Sequence, residues 1–99
     1  MALTEHQKKH LRRLGHALHP VVLIGQRGLT ESVAAEMRRA LDDHELVKIR
    51  ARVDSRDSRD AIFAELSRLT ASEFVYRIGN VGLFFKQNNR IQKILLPDP

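Results

Sequence analysis

The chain has 99 residues, of which 42% are hydrophobic and 29% are charged, and its formal net charge is +5 at pH 7. This length and composition predict a single folded domain over residues 1–99 and exclude a disordered tail. The absence of cysteine excludes disulfide frameworks, thiolate zinc sites and cysteine nucleophiles, and no apolar run is long enough to span a membrane. We therefore expect a cytoplasmic protein with no membrane association.

The positive charge is concentrated at the two ends of the chain. Counting Lys and Arg against Asp and Glu, residues 1–29 carry a net charge of +4, residues 30–73 carry −2, and residues 74–99 carry +3. A fold that brings the two ends together would form one basic surface that attracts phosphates. Many small soluble proteins are also basic, so the charge favours a nucleic-acid partner without requiring one.

The first predicted element is an amphipathic helix over residues 4–18, which begins with a capping box formed by Thr4 and Gln7. Three leucines at helical spacing predict its buried face, and four cations are expected on the opposite face. The leucines are Leu11, Leu14 and Leu18, and the cations are Lys8, Lys9, Arg12 and Arg13. Such a cationic face is typical of a solvated helix, and it would also serve as an electrostatic track for phosphates.

The apolar run at residues 21–24, after Pro20, predicts a short strand buried on both faces. The strand ends in a loop made of Gly25, Gln26, Arg27 and Gly28, and Thr30 can cap the helix that follows. A turn between a strand and a helix points backbone N–H groups outward, and Arg27 adds a positive charge. The loop is either a phosphate cradle or a plain turn that uses glycine for positive φ, because its spacing fits no nucleotide-binding fingerprint.

The next helix and the next strand are each predicted to have one apolar face. The helix after Thr30 carries four apolar residues on one side, and residues 46–53 alternate between apolar and cationic side chains. The helix residues are Val33, Met37, Ala40 and Leu41, the core residues of the strand are Val47, Ile49, Ala51 and Val53, and its cations are Lys48, Arg50 and Arg52. One face of this strand is therefore expected in the core, and the other is cationic.

The polar stretch at residues 54–60 is interpreted as a linker into a third helix, from about Ser58 to Thr70. Its expected inward residues are Ile62, Leu66 and Leu69. Two strands follow at residues 74–78 and 83–87, joined by the sequence Gly-Asn-Val-Gly.

The order of these elements, helix-strand-helix-strand-helix-strand-strand, predicts an α/β fold with three helices and a small mixed four-stranded sheet. If successive strands advance in one direction, right-handed crossovers place the second and third helices on the same face. The first helix then covers an edge or part of the other face.

No residue pattern in the chain argues for catalysis, a metal or a cofactor. His6 and His10 have the i, i+4 spacing of helical metal ligands, but the residues between them are cationic or neutral and no third ligand is evident. Asp42 and Asp43 are adjacent on a helix and so do not face each other. We therefore expect no enzyme activity.

Four ordered motifs carry a resemblance to a known family. They are "HLRRLGHALHPVV" at residues 10–22, "IGQRGLTESV" at 24–33, "HELVKI" at 44–49 and "RIGNVGLFFK" at 77–86. The chain resembles the CRM domain in its stand-alone bacterial YhbY-like form. The resemblance implies an RNA-binding fold related to the C-terminal domain of translation initiation factor three, with a Gly-x-x-Gly loop likened to that of KH domains. It also implies association with ribosomal RNA in precursors of the large ribosomal subunit.

The resemblance assigns RNA binding to the first glycine loop, from Gly25 to Gly28. Further expected RNA contacts are Lys8, Lys9, Arg12 and Arg13 of the first helix, Arg77, Lys86 and the exposed face of the second strand. The second glycine sequence, Gly79 to Gly82, lacks the cation and threonine expected of the family, and we interpret it as a hairpin turn in which Asn80 takes positive φ.

We therefore expect a monomeric RNA-binding protein that assists ribosome assembly without covalent chemistry. Two other classes stay open alongside a general nucleic-acid binder with no ribosomal role. A protein-interaction module would expose an apolar patch, and an RNA-modifying enzyme would bring carboxylates or histidines together beside the basic loop.

Overall fold

A computed structural model describes residues 2–99 as three helices packed on one four-stranded mixed sheet. The elements in chain order are α1 (Glu5–Gly15), β1 (Pro20–Ile24), α2 (Glu31–His44), β2 (Leu46–Ala51), α3 (Arg56–Thr70), β3 (Glu73–Ile78) and β4 (Val81–Phe85). This confirms the predicted fold class and element order. The strands lie in the order β1-β2-β4-β3, with β1 parallel to β2 and with β4 antiparallel to both of its neighbours.

The helices cover the two faces of the sheet unequally. Both crossovers, β1-α2-β2 and β2-α3-β3, advance in the same direction across the sheet, which places α2 and α3 on one face as predicted. The core under α2 and α3 contains Val22, Ile24, Met37, Leu41, Val47, Ile49, Ala51, Phe63, Leu66 and Phe84. A smaller core under α1 contains Leu3, Leu11, Leu46, Val75, Leu83 and Phe85.

The first helix is shorter than predicted. The capping box is present, since the Gln7 N–H donates to Thr4 Oγ1 at 3.1 Å and the Thr4 N–H donates to Gln7 Oε1 at 3.0 Å. The helix ends at Gly15, where an added Cβ would lie 2.9 Å from the Leu83 side chain. Leu14 was expected to face inward but is 40% exposed. Because Gly15 packs closely against the sheet, the adjacent Leu14 projects to one side of the helix instead of into the core.

The prediction that β1 is buried on both faces is wrong. Val22 and Ile24 are buried under α2, whereas Val21 is 48% exposed and Leu23 is 54% exposed. β1 is an edge strand, and α1 packs mainly against the other three strands. The outer face of β1 therefore stays largely open.

The third helix begins at Arg56, inside the stretch that the sequence suggested was a linker. Ser55 caps it by accepting a hydrogen bond from the Ser58 N–H at 3.0 Å. Its most buried side chains include Phe63 and Leu66, while the predicted inward residue Ile62 is only partly buried. The Phe63 ring packs edge-on against the Phe84 ring of β4, with 5.6 Å between the two centroids.

A buried carboxylate, that of Glu45, holds the C-terminal segment that follows β4. Glu45 caps the end of α2 in a left-handed backbone conformation with φ of 63°. Its two carboxylate oxygens accept hydrogen bonds from the backbone N–H groups of Asn88, Lys93 and Ile94, the last two at 2.7 Å. Ile94 then packs against the core under α1, so the segment closes one end of that core.

Replacing Glu45 with Ala should lower the free energy of unfolding by about 3 kcal/mol, because three partly buried hydrogen bonds lose their charged acceptor. Glu45→Gln is the matched control, since its amide oxygen still accepts, and it should cost less. Urea denaturation measures both losses, and amide exchange at residues 88–94 should accelerate in Glu45→Ala. An unchanged denaturation midpoint in Glu45→Ala would show that these hydrogen bonds do not contribute to stability.

Candidate nucleic-acid interface

The first glycine loop is a closed turn with an exposed tip. The Gly28 N–H donates to the Gly25 carbonyl at 3.0 Å, and the side chains of Gln26 and Arg27 lie in solvent. Gly28 has φ of +72°, a conformation that favours glycine, whereas Gly25 does not. Immediately after the loop, the Thr30 hydroxyl caps α2 by accepting from the Val33 N–H at 3.2 Å. The cap and the turn fix the loop at both ends.

Three connecting segments meet at one edge of the sheet, which we call the loop edge: residues 25–30, 52–55 and 79–80. They meet because β1, β2 and β3 all run toward this edge. The Arg52 N–H donates to the Ile24 carbonyl and the Ala51 N–H donates to the Asn80 carbonyl, both at 2.8 Å. The same topology brings the N-termini of α2 and α3 to the loop edge, where their dipoles favour anions.

The loop edge itself carries two arginines, Arg27 and Arg52, and one acidic residue, Asp54. Acidic residues occupy the first turns of the two helices, Glu31 in α2 and Asp57 in α3, and Glu31 forms an ion pair with Arg38 at 3.5 Å. Within residues 2–99, neither Arg27 nor Arg52 forms a salt bridge. Two arginines at this edge are thus available to an external anion.

The part of the sheet that α1 leaves uncovered lies next to the loop edge. Across the strands, Arg50 of β2 is paired in register with Leu23 of β1 on one side and with Val81 of β4 on the other, and Val81 is paired with Ile78 of β3. We call these four residues the open sheet face. The predicted cationic face of β2 therefore points to the same side of the sheet as α1.

The four cations of α1 do not all lie opposite its buried face, which corrects the sequence prediction. Lys9 and Arg13 are exposed on the outer side of the helix. Lys8 and Arg12 flank the buried side, because the inward direction is centred on Leu11, and both are partly covered. The Arg12 guanidinium lies over the Tyr76 ring, 5.5 Å from its centroid. All four are on the same side of the sheet as the open sheet face.

The structure does not bring Arg77 and Lys86 to this surface. Arg77 is in register with Gly82 on the side covered by α3, and its Nε lies 2.8 Å from the Asp60 carboxylate. Lys86 follows the far end of β4, and its Nζ donates to the Thr70 carbonyl at 3.1 Å. Arg77 points to the opposite face of the sheet, and Lys86 lies at the opposite end of β4. Neither cation is therefore near the first glycine loop.

The second glycine sequence forms a hairpin turn, as expected, but with different residues in the turn. Gly79 and Asn80 are the two turn residues, since Ile78 and Val81 are paired in register. Gly79 takes positive φ, at 57°, and Asn80 does not. Gly82 belongs to β4, where the Phe63 and Phe84 rings would lie 3.0 to 3.2 Å from an added Cβ.

Within the described chain, residues 2–99, no three His, Asp or Glu side chains are grouped so that they could hold a metal ion. No helix in those residues combines the length and the apolar character needed to cross a membrane.

The chain matches a known protein family over most of its length. The family model of the CRS1 / YhbY (CRM) domain matches residues 3–86. The chain belongs to the CRM domain family. This confirms the resemblance seen in the four sequence motifs.

Two relatives and one solved structure match this CRM domain over more than nine-tenths of their own length. A protein of Pseudomonas aeruginosa named a probable RNA-binding protein is 43% identical, covering 96% of this chain and 91% of its own. A protein of Haemophilus influenzae named an RNA-binding protein is 37% identical, covering 96% and 95%. The solution structure of a Staphylococcus aureus protein, described as a candidate RNA-binding protein, superposes with a TM-score of 0.85 at 30% identity and covers 97% and 100%.

The two loop glycines of this CRM domain should respond differently to substitution. Gly28→Ala should lower the free energy of unfolding by about 1 kcal/mol, because a side chain at φ of +72° is strained. Gly25→Ala should cost less than half as much, since its φ is ordinary and the space around it is open. Thermal and urea denaturation of both variants measure the difference. Equal losses would show that the turn does not depend on the left-handed residue.

Proposed function

We propose that this CRM domain binds ribosomal RNA in precursors of the large ribosomal subunit and assists their assembly, acting as a monomer in the cytoplasm. The observation that carries the proposal is an arginine without a carboxylate partner, Arg27, at the tip of a fixed glycine turn on the edge of the sheet where α2 and α3 both begin. The naming of two relatives as RNA-binding proteins, one of them as probable, supports the same class of partner.

The loop would act by holding the RNA backbone. Backbone N–H groups at the turn, the positive end of the α2 dipole and the Arg27 guanidinium can converge on one phosphate. Lys9 and Arg13 of α1 and Arg52 at the loop edge would extend the attraction to neighbouring phosphates. Phosphate contacts position a strand and carry little sequence information, so modest sequence specificity is expected of these contacts.

The chemistry of this surface suits binding rather than catalysis. Its functional groups are arginine and lysine side chains and backbone amides, which hold anions. General acid-base work would need carboxylates or histidines converging beside the loop. Glu31, the acidic residue in the first turn of α2, is already paired with Arg38.

A second candidate function, a protein-interaction module, is favoured by one observation. An apolar groove of about 530 Å³ lies between the end of α1 and β1, lined mainly by Leu14, Leu18, Val21, Leu46 and Ile94. RNA affinity that is negligible at physiological salt would favour this function over the proposed one.

Arg27→Glu should weaken binding to structured ribosomal RNA by at least about tenfold, through the lost contact and added repulsion. Arg90→Glu is the matched control, because it makes the same substitution at an exposed side chain in the segment that follows the far end of β4. Both variants are assayed at one fixed salt concentration after their thermal stability is compared. Equal losses in the two variants would mean that overall charge, and not the loop, determines affinity.

The ribosomal role is tested in cells. Wild-type protein should cosediment with precursors of the large subunit, and crosslinking followed by sequencing should recover large-subunit ribosomal RNA, with less recovered for Arg27→Glu. Crosslinks spread over unrelated RNAs would contradict the ribosomal role and leave a general nucleic-acid-binding protein.

A further inference from the structure

We propose that the open sheet face binds an unpaired base of the RNA strand whose phosphate is held at the first glycine loop. The ligand class is thus single-stranded or bulged RNA, and Arg50 is the residue on which the base stacks. This inference rests on the proposed function and adds to it a base-binding subsite on the sheet.

Two of the four residues of the open sheet face are large apolar side chains that lie mostly in solvent. Leu23 is 54% exposed and Ile78 is 64% exposed, and Val81 between them is only partly buried. These side chains lie in one row across neighbouring strands, because their register is continuous from β1 to β3. A flat apolar row of this kind suits the face of a planar ligand.

Arg50 supplies the cation within this row. Its register partners are Leu23 and Val81, so both of its lateral neighbours are apolar. Within residues 2–99 it forms no salt bridge, and its Nε is buried without a hydrogen-bond partner. A guanidinium is planar and weakly hydrated, and it stacks on nucleobases, whereas the ammonium group of lysine does not. Arg50 can therefore do what an aromatic platform does in other single-strand binders.

The open sheet face lies close enough to the first glycine loop for one RNA strand to contact both. Leu23 precedes Gly25 by two residues, which is roughly 7 Å along an extended chain. Arg52 follows Arg50 by two residues and reaches the loop edge, where its N–H bonds the Ile24 carbonyl. A strand that places a phosphate at the loop therefore passes directly over or beside the open sheet face.

The charge around the face selects a polyanion over an apolar protein surface. Arg27, Arg50 and Arg52 form no salt bridge within the described residues. Of the acidic residues of this end, Glu31 and Asp57 belong to helices that cover the opposite side of the sheet, and Asp54 lies in the loop edge. An apolar partner would bury these guanidinium groups without compensation, which is costly, whereas RNA offers phosphates and a π face together.

The test compares three RNA hairpins that share one stem: fully paired, with a single bulged 2-aminopurine, and with an abasic site at the bulge. Wild-type protein should bind the bulged hairpin about tenfold more tightly than the other two, and the fluorescence of 2-aminopurine should change on binding. Arg50→Lys keeps the net charge but removes the stacking plane. It should lose this preference while retaining the affinity for the paired hairpin.

Two further variants make the result independent of any one substitution. Ile78→Ser removes an exposed apolar contact without changing charge and should reduce the preference in part. Arg39→Lys makes the same chemical change as Arg50→Lys at an exposed position of α2 and should leave the preference intact. Urea denaturation confirms that each variant is folded.

The outcomes separate this inference from the proposed function. Equal affinity of wild-type protein for all three hairpins, or a preference kept by Arg50→Lys, overturns the base subsite and leaves RNA binding standing. Absence of binding to every hairpin overturns both. Sedimentation gives a third readout: a dimer that Ile78→Ser dissociates would show that a second copy of the chain covers this face, and it would also overturn the inference.

Discussion

The packing of α2 and α3 on the same face of the sheet determines the rest of the molecule. It leaves the other face to α1, which has 11 residues, and to the C-terminal segment. Because strands are spaced about 4.8 Å apart, one helix of about 10 Å diameter is too narrow to cover all four strands of the sheet. The uncovered part falls over β1 and the ends of β2, β3 and β4, where apolar and cationic side chains share one surface.

The same crossovers organise the electrostatics. Parallel strands that run toward one edge bring the helices that follow them back to that edge with their N-termini first. Two helix dipoles and a glycine turn therefore act on one region of space, although the three segments are distant in the chain. The acidic first-turn residues lie behind the sheet, and the unpaired arginines lie at its edge and on its open side, so attraction for an anion is directed rather than uniform.

Local sequence patterns predicted the helices and strands. The errors in predicted burial arose where burial depends on residues distant in the chain. The capping box of α1, the Thr30 cap of α2 and the alternation in β2 are properties of adjacent residues, and they located the starts of these elements closely. The four-residue run of β1 could not show that its outer side lacks a covering helix. Similarly, the spacing of Leu14 could not show that Gly15 would approach the sheet and turn it aside. Exposure in both cases depends on a packing partner elsewhere in the chain.

In the candidate site, likewise, the residues of a local motif could be predicted and those brought together by the sheet could not. Arg27 stands out because its motif is continuous, and the topology puts it at an edge that the element order already implied. The row from Leu23 to Ile78 depends on register across four strands, which no local pattern encodes. Arg77 and Lys86 were expected at the site by sequence alone, and the phase of β3 and the direction of β4 place them elsewhere.

The hydrogen bonds of Glu45 show that the folded domain continues past its last strand. The family match stops at residue 86, yet the N–H groups that satisfy the Glu45 carboxylate belong to residues 88–94. A fragment cut at the family boundary would retain every helix and strand but would lose the three N–H donors of the Glu45 carboxylate. The hydrogen-bonded unit therefore extends at least to Ile94, beyond the last strand, and a boundary drawn at the end of the family match would divide it.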